Sequence, residues 1–342
     1  MKHVFGRVAV ALIIVTGSSL AACKSTGSAF NPSGGIGGVQ QIYWDMFSAT
    51  PGPSGTPEPQ VEFARLPIHS GSAVTGVNGS ASNMLDSASN MLIDSSGRLW
   101  VLSFPPSSVE TAEIFKLPLH PNSTPVVTLT FTGRDCFCGG ITFDKAGNLW
   151  GVEWDGDLFE YTGPFTTSGG ITPAVEDFNA VPAGGGNYDA GIAVDSSGNV
   201  YVPVTGSNTV AVFTSPMTST STPAYYLDGV TKPNALIFDS QGNLYVGTSN
   251  GIARFNSNNL SSGATPNAID NTGMSAVDSA PYEAEFAFDK AGDLFDADCG
   301  NTGAIIVYPS VMTSFSATEA PSATFTDTSM TNAKCTWGIA VH

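Results

Sequence analysis

Apolar and polar positions along this chain fall into a phrase that recurs. It consists of an apolar strand, an Asp, two turn residues, Gly, one polar residue and an apolar-aromatic pair. It reads Met91-Leu92-Ile93-Asp94-Ser95-Ser96-Gly97-Arg98-Leu99-Trp100 at its first occurrence and Ile192-Ala193-Val194-Asp195-Ser196-Ser197-Gly198-Asn199-Val200-Tyr201 at its third. The others are centred on Asp144, Asp239 and Asp289, so successive Asp residues lie 44 to 51 positions apart. A recurrence of that length marks one supersecondary unit repeated, because no single unit buries its own apolar faces. Each phrase predicts a β-hairpin, in which the Asp carboxylate accepts backbone N–H groups across the turn and the Gly takes a positive φ.

A third short strand follows each hairpin, as in Glu113-Ile114-Phe115-Lys116-Leu117 and Ile305-Ile306-Val307-Tyr308, and then a weaker fourth. Four antiparallel strands per unit predict an all-β propeller. Five phrases are complete, and the two ends of the chain supply the sixth. Gly338-Ile339-Ala340-Val341-His342 repeats Gly191-Ile192-Ala193-Val194-Asp195 without a hairpin partner, while Ile42-Tyr43-Trp44-Asp45-Met46-Phe47 reads like the second strand Leu99-Trp100-Val101-Leu102-Ser103-Phe104. We therefore expect six four-stranded blades over residues 41–342, closed by a blade shared between the termini, which leaves no open sheet edge at the seam. A seventh blade would have to lie within residues 48–89.

Residues 1–22 read as a lipoprotein signal peptide. Lys2 and Arg7 precede an apolar run from Val8 to Val15, and Leu20-Ala21-Ala22 leads to Cys23 as the site of cleavage and lipidation. Residues 23–40, rich in Gly and Ser, are a tether too poor in apolar residues to fold. The expected location is the bacterial cell envelope, anchored to the membrane by acyl chains. Lys24 follows the lipid Cys, and this favours the outer membrane.

Charge narrows the partners. The chain carries 12 Lys+Arg against 29 Asp+Glu, a net charge of −17, which becomes −19 once Lys2 and Arg7 leave with the leader. Nucleic-acid binding requires a basic footprint and is excluded on this ground. Cationic partners, divalent ions and simple solubility remain, and the chain is expected to be a monomer. After Cys23, an even set of cysteines is left. Cys299 and Cys335 sit on loops of one face and are expected to form a disulfide that locks the closing blade to its neighbour, with Cys136 and Cys138 as a second, short loop. A metal site is the alternative, weakened by the lack of a nearby His.

The face carrying the second-to-third-strand loops and the first-strand entries is the expected ligand face. His69, His120 and His342 all fall at the other side. No serine shows an evident His partner for nucleophilic catalysis. Carboxylates are the remaining candidates. Asn90, Asp189, Asn234, Glu283 and Glu285 sit at first-strand entries, and Asp45, Glu153, Asp155, Asp296 and Asp298 at second-strand exits. Such oxygens ringed about an axis suit a hard cation such as Ca²⁺, although the same residues also read as solvated loop acids in a very acidic protein. Trp100, Trp150, Tyr201, Tyr245 and Phe295 share one repeat position and are expected in the core. Trp44, Trp154 and Trp337 lie off it, where they either pack or stack on a ligand.

The phrase from Gly191 to Val202 resembles the NHL repeat, and residues 41–342 resemble the NHL and gluconolactonase/regucalcin group of six-bladed propellers. That resemblance implies either protein binding or metal-dependent lactonase or lyase chemistry. Asp189, Asn234, Glu283 and Glu285 are similar to the lactonase metal ligands, in the order Asp, Asn, Glu instead of Glu, Asn, Asp, a change that a circular permutation of blades would produce. Two readings result. One is a binding module for a protein, peptide or glycan, with Glu153, Trp154, Asp155, Asp298 and Trp337 at its mouth. The other is a metal-dependent hydrolase or lactonase using the acidic site.

Overall fold

The structure is a computed structural model that describes residues 40–46, 61–68, 72–77, 88–103, 110–132, 140–153, 155–181, 191–270, 283–298, 304–326 and 336–342. The signal peptide, Cys23, the remaining cysteines, Trp154 and Asp189 lie outside the described residues, as do the side chains of Glu283, Asp298 and Trp337.

Six sheets form, one per repeat. Blade 1 contains β1 (Gln41–Met46), β2 (Val61–Arg65) and β3 (Thr75–Gly76). Blade 2 runs through β4 (Ala88–Ile93), β5 (Arg98–Ser103), β6 (Glu110–Lys116) and β7 (Val127–Phe131). Blade 3 is built from β8 (Gly140–Phe143), β9 (Leu149–Val152), β10 (Leu158–Tyr161) and, beyond β11 (Gly169–Ile171), β12 (Val175–Asp177). Blade 4 is β13 (Ala193–Val194), β14 (Val200–Val204), β15 (Thr209–Phe213) and β16 (Tyr225–Leu227). Blade 5 is β17 (Leu236–Phe238), β18 (Leu244–Thr248), β19 (Gly251–Phe255) and β20 (Ala268–Asp270). Blade 6 is β21 (Glu283–Phe288), β22 (Leu294–Asp298), β23 (Ala304–Tyr308) and β24 (Ala323–Phe325), and β25 (Thr336–Val341) returns to blade 1 as its innermost strand.

Closure is as the pattern predicts. β25 runs antiparallel to β1 with Tyr43 opposite Ala340 and Ile42 opposite Val341. Gln41 N–H donates to the His342 carbonyl at 3.0 Å, and His342 N–H returns to the Gln41 carbonyl at 2.9 Å. The innermost strands touch in cyclic order, β4 to β8, β13, β17, β21, β25 and back to β4. Among the described residues no seventh blade intervenes: Val61–Arg65 and Thr75–Gly76 supply the two outer strands of blade 1. Among the described residues, no helix is long and apolar enough to cross a membrane.

Each core cluster is shared by two adjacent blades. Leu92, Trp100 and Leu102 of blade 2 meet Ile141, Phe143 and Leu149 of blade 3, and Ile42, Trp44 and Ile339 of blade 1 meet Ala287, Phe295 and Ala297 of blade 6. Both faces of every sheet are therefore buried. This explains why the inner strands read as unbroken apolar runs. At about 1.5–3 kcal/mol for each buried large apolar side chain, the blade interfaces supply the main force holding the ring.

The hairpin Asp is a local fastener. Asp239 accepts Gln241 N–H at 2.9 Å and Asn243 N–H at 2.8 Å on one oxygen, and Asn243 Nδ2 at 2.7 Å and Tyr245 Oη at 3.4 Å on the other. Asp195 repeats this with Ser197, Asn199 and Tyr201. The Asn has a second task, since its Oδ1 accepts an N–H from the loop after the third strand: Gly163 for Asn148, Ser215 for Asn199 and Ser257 for Asn243. One amide thus ties the first, second and third strands of its blade. The aromatic residues of the repeat are buried as expected, between 0% and 5% exposed, and Trp100 Nε1 also donates to Asp94 at 3.0 Å.

One feature departs from four strands. Gly169–Ile171 pairs in parallel with β7, giving the blade 2 sheet a fifth strand borrowed from the blade 3 connection. Ser168 Oγ accepts Thr128 N–H at 3.0 Å and helps hold it there.

Candidate functional site

The mouth of the propeller is formed by the second-to-third-strand turns and the first-strand entries. Its most concentrated chemistry is the turn between β9 and β10. Gly156 N–H donates to the Glu153 carbonyl at 3.0 Å and Glu153 N–H to the Asp157 carbonyl at 2.9 Å, closing a tight turn. Alternate residues of that turn carry carboxylates. Glu153, Asp155 and Asp157 each place an oxygen within 4.8 Å of the others, the one such group of His, Cys, Asp or Glu among the described residues. Glu153 and Asp157 are buried, at 6% and 7% exposure, and Asp155 is exposed.

Neighbouring backbone fixes the turn from beneath. Asn179 N–H donates to Asp157 Oδ1 at 2.5 Å, and Val181 N–H to the Gly156 carbonyl at 3.2 Å. Gly156 has φ +94°, and a Cβ there would stand 2.8 Å from the Val181 carbonyl oxygen. Only glycine fits this position, so the Glu-x-Asp-Gly-Asp order is what lets three acids converge. Three carboxylates so close repel one another, and a divalent cation with oxygen ligands relieves that repulsion.

Two further candidates, Glu285 and Asn234, are engaged with backbone groups. Glu285 is fully buried on β21, and its Oε2 accepts Ile339 N–H of β25 at 2.5 Å, across the boundary between blades 6 and 1. Asn234, 4% exposed, holds the entry to β17: its Oδ1 accepts Ala235 N–H at 2.7 Å, its N–H donates to the Gly247 carbonyl at 2.9 Å, and its carbonyl accepts Gly191 N–H at 2.6 Å. Trp44 is core, fully buried, with Nε1 donating to Glu62 Oε2 at 3.1 Å. Glu153 and Asp155 are brought together. Asp157 was not singled out by sequence, although the alternation of acids through Asp157 around Gly156 carried the signal.

The described histidines lie away from the mouth. His120 is exposed beyond the third strand of blade 2. His342 sits at the hairpin end of the ring, where the notional Cβ of Gly97 would be 3.1 Å from its Nε2. Burial, reinforced by the Lys290 ammonium, lowers the His342 pKa below its usual value.

No protein-family model and no curated protein matches the chain. Solved structures do. A Lactobacillus plantarum protein superposes with a TM-score of 0.57 at 11% identity, covering 84% of this chain and 83% of that one. The Pseudomonas aeruginosa periplasmic gluconolactonase PpgL gives 0.53 at 11% identity, with the same coverages of 84% and 83%. A Bacteroides caccae protein gives 0.51 at 9% identity, covering 89% and 99%. At such identities the likeness is one of architecture, and what this chain shares with these proteins is the six-bladed β-propeller with four-stranded blades.

Proposed function

We propose that this protein is a lipid-anchored binding module of the bacterial cell envelope, which presents the mouth of its propeller to a protein, peptide or glycan. One observation carries the reading. The two candidate metal ligands whose side chains are described, Asn234 and Glu285, are engaged with backbone amides that hold first-strand entries and the closing seam. Groups tied in this way serve the ring, which leaves the loops above them to carry recognition. Cys23 would hold the module at the membrane, with residues 24–40 as its tether and the outer membrane as the favoured site.

The second reading is a metal-dependent hydrolase or lactonase, and the convergence of Glu153, Asp155 and Asp157 within 4.8 Å favours it. Ca²⁺ is the cation that this all-oxygen set suits best. The turn would then orient a substrate carbonyl toward the cation, with Asp155, the exposed member, nearest to solvent.

A screen of the purified protein against lactones and esters, with added Ca²⁺ and with chelator, separates the two. The binding reading expects no turnover above background in either condition. Turnover that chelator abolishes, and that Asp155→Asn reduces, would overturn it.

A further inference from the structure

A second recessed surface lies on the rim, away from the acidic turn. It is a cleft of about 570 Å³ along the outer edge of blade 4, completed by Ser262 and Gly263 of blade 5. β16 forms its wall and the turn between β14 and β15 forms one end. The segment around Gly263 of blade 5 forms the other side. Backbone bonds fasten the two blades at its base: Gly263 N–H donates to the Tyr226 carbonyl at 2.8 Å and Asp228 N–H to the Ala264 carbonyl at 2.7 Å. The cleft is thus built on rigid sheet and on a ladder that spans two blades.

Its lining has a definite chemistry. Tyr225 and Tyr226 are adjacent on β16 and both half-buried, and they point to opposite faces of the sheet: Tyr225 packs against the core shared by blades 4 and 5, and Tyr226 against the core shared by blades 3 and 4. Tyr225 is anchored by its hydroxyl, which donates to the Leu260 carbonyl at 3.1 Å. Ser207 and Thr209 place their hydroxyls 2.7 Å apart. Asp228, exposed, is the one charged residue among the described lining residues, and a Cβ on Gly263 would approach its Oδ2 to 3.7 Å.

We propose that this cleft is a subsite for a neutral oligosaccharide. The Tyr226 ring takes the apolar C–H face of a pyranose, while the paired hydroxyls of Ser207 and Thr209 accept from and donate to its hydroxyl groups and the Asp228 carboxylate at the edge accepts from them. With Asp228 as the charge and no Lys or Arg among the described lining residues, phosphorylated, sulfated and uronic-acid ligands are disfavoured. The volume falls within the range of small-ligand sites, about 300–1,000 Å³, and is roomy enough for more than one sugar ring. The inference does not depend on what the mouth binds.

The test is an array of neutral and anionic oligosaccharides probed with the labelled purified protein, followed by calorimetric titration of the best-retained neutral glycan. We expect saturable binding of a neutral glycan, weakened about tenfold or more by Tyr226→Ala and by Asp228→Asn. Tyr226 also packs against the core between blades 3 and 4, so the test rests on the exposed Asp228→Asn variant, which leaves the core clusters untouched. Three results overturn the proposal: retention of anionic glycans alone or of none, binding unaffected by Asp228→Asn, or binding lost in Asp155→Asn and intact in the cleft variants. The last would assign the sugar to the mouth.

Discussion

The carboxylate of Glu285 accepts the backbone N–H of Ile339, joining the inner strand of blade 6 to the inner strand that the end of the chain supplies to blade 1. The bond spans the seam where the ring could open. Both partners are buried, Glu285 at 0% and Ile339 at 1% exposure. Replacing Glu285 with Ala leaves a buried N–H without that acceptor, and the expected cost is about 2–3 kcal/mol. Glu285→Gln, which keeps an acceptor oxygen, should cost less. Urea unfolding of the two variants measures the difference, and equal midpoints would mean the bond contributes nothing at the seam.

Blade 6 carries an imperfect version of the hairpin fastener. Where blades 3 to 5 have Asn, it has Asp293, and where blades 2 to 5 have Trp or Tyr, it has Phe295. Asp289 therefore lacks two of the donors that Asp239 enjoys. Burial and then the Asp293 charge raise its pKa, against the backbone N–H groups of Asp293, Ala291 and Gly292. Asp293→Asn should restore the amide clip, because Asp293 Oδ1 already accepts Ser310 N–H at 2.7 Å and an Nδ2 would face Asp289. We expect a gain of about 0.5–1.5 kcal/mol near neutral pH. A raised folded-state pKa penalises the ionised group, so the wild-type deficit is present above that pKa and disappears as pH falls through it toward the unfolded value. The variant's advantage in thermal unfolding should shrink accordingly in acid.

His342 gives a second pH dependence. Its lowered pKa means that the folded chain resists the proton that the unfolded chain accepts near pH 6.5. Its contribution to stability is therefore undiminished above that value and is lost as pH falls from about 6.5 through the depressed folded pKa. Subtracting the pH–stability curve of His342→Gln from that of the wild type should isolate this loss. A flat difference between pH 7 and 5 would show that the imidazole is not constrained beside Lys290 and Gly97.

Gly156→Ala and Gly147→Ala separate conformational strain from contact. Both glycines have positive φ, +94° and +85°, but an added Cβ meets nothing within 4 Å at Gly147 and the Val181 carbonyl at 2.8 Å at Gly156. Gly147→Ala should cost about 1–2 kcal/mol from the backbone alone, and Gly156→Ala more. If the acidic turn binds Ca²⁺, Gly156→Ala should also weaken it, as calorimetric titration would show.

The sequence announced the ring because its determinants are local and repeated. Asp, Gly and an aromatic residue at fixed offsets specify the hairpin, and the apolar runs at Ile42 and Ile339 specify a strand without a neighbour. The strand β11 was not announced, since Gly169-Gly170-Ile171 carries no strand pattern and pairs only because blade 2 offers an edge. That Glu285 accepts the Ile339 amide is not legible in the sequence, because sequence order shows the strand entry and not the strand that faces it. Asp157 escaped notice because its meeting with Glu153 depends on the reversal at Gly156. Charge and spacing located the acids, and only three-dimensional neighbours assign their partners.

Amide hydrogen exchange at the seam tests closure most directly. The account predicts that Tyr43, Trp44, Ile339 and Ala340 are protected to the same degree as Tyr245 and Val246 in the interior of blade 5. Exchange at the seam faster by orders of magnitude, with blade 5 still protected, would contradict a ring clasped by the two ends of the chain.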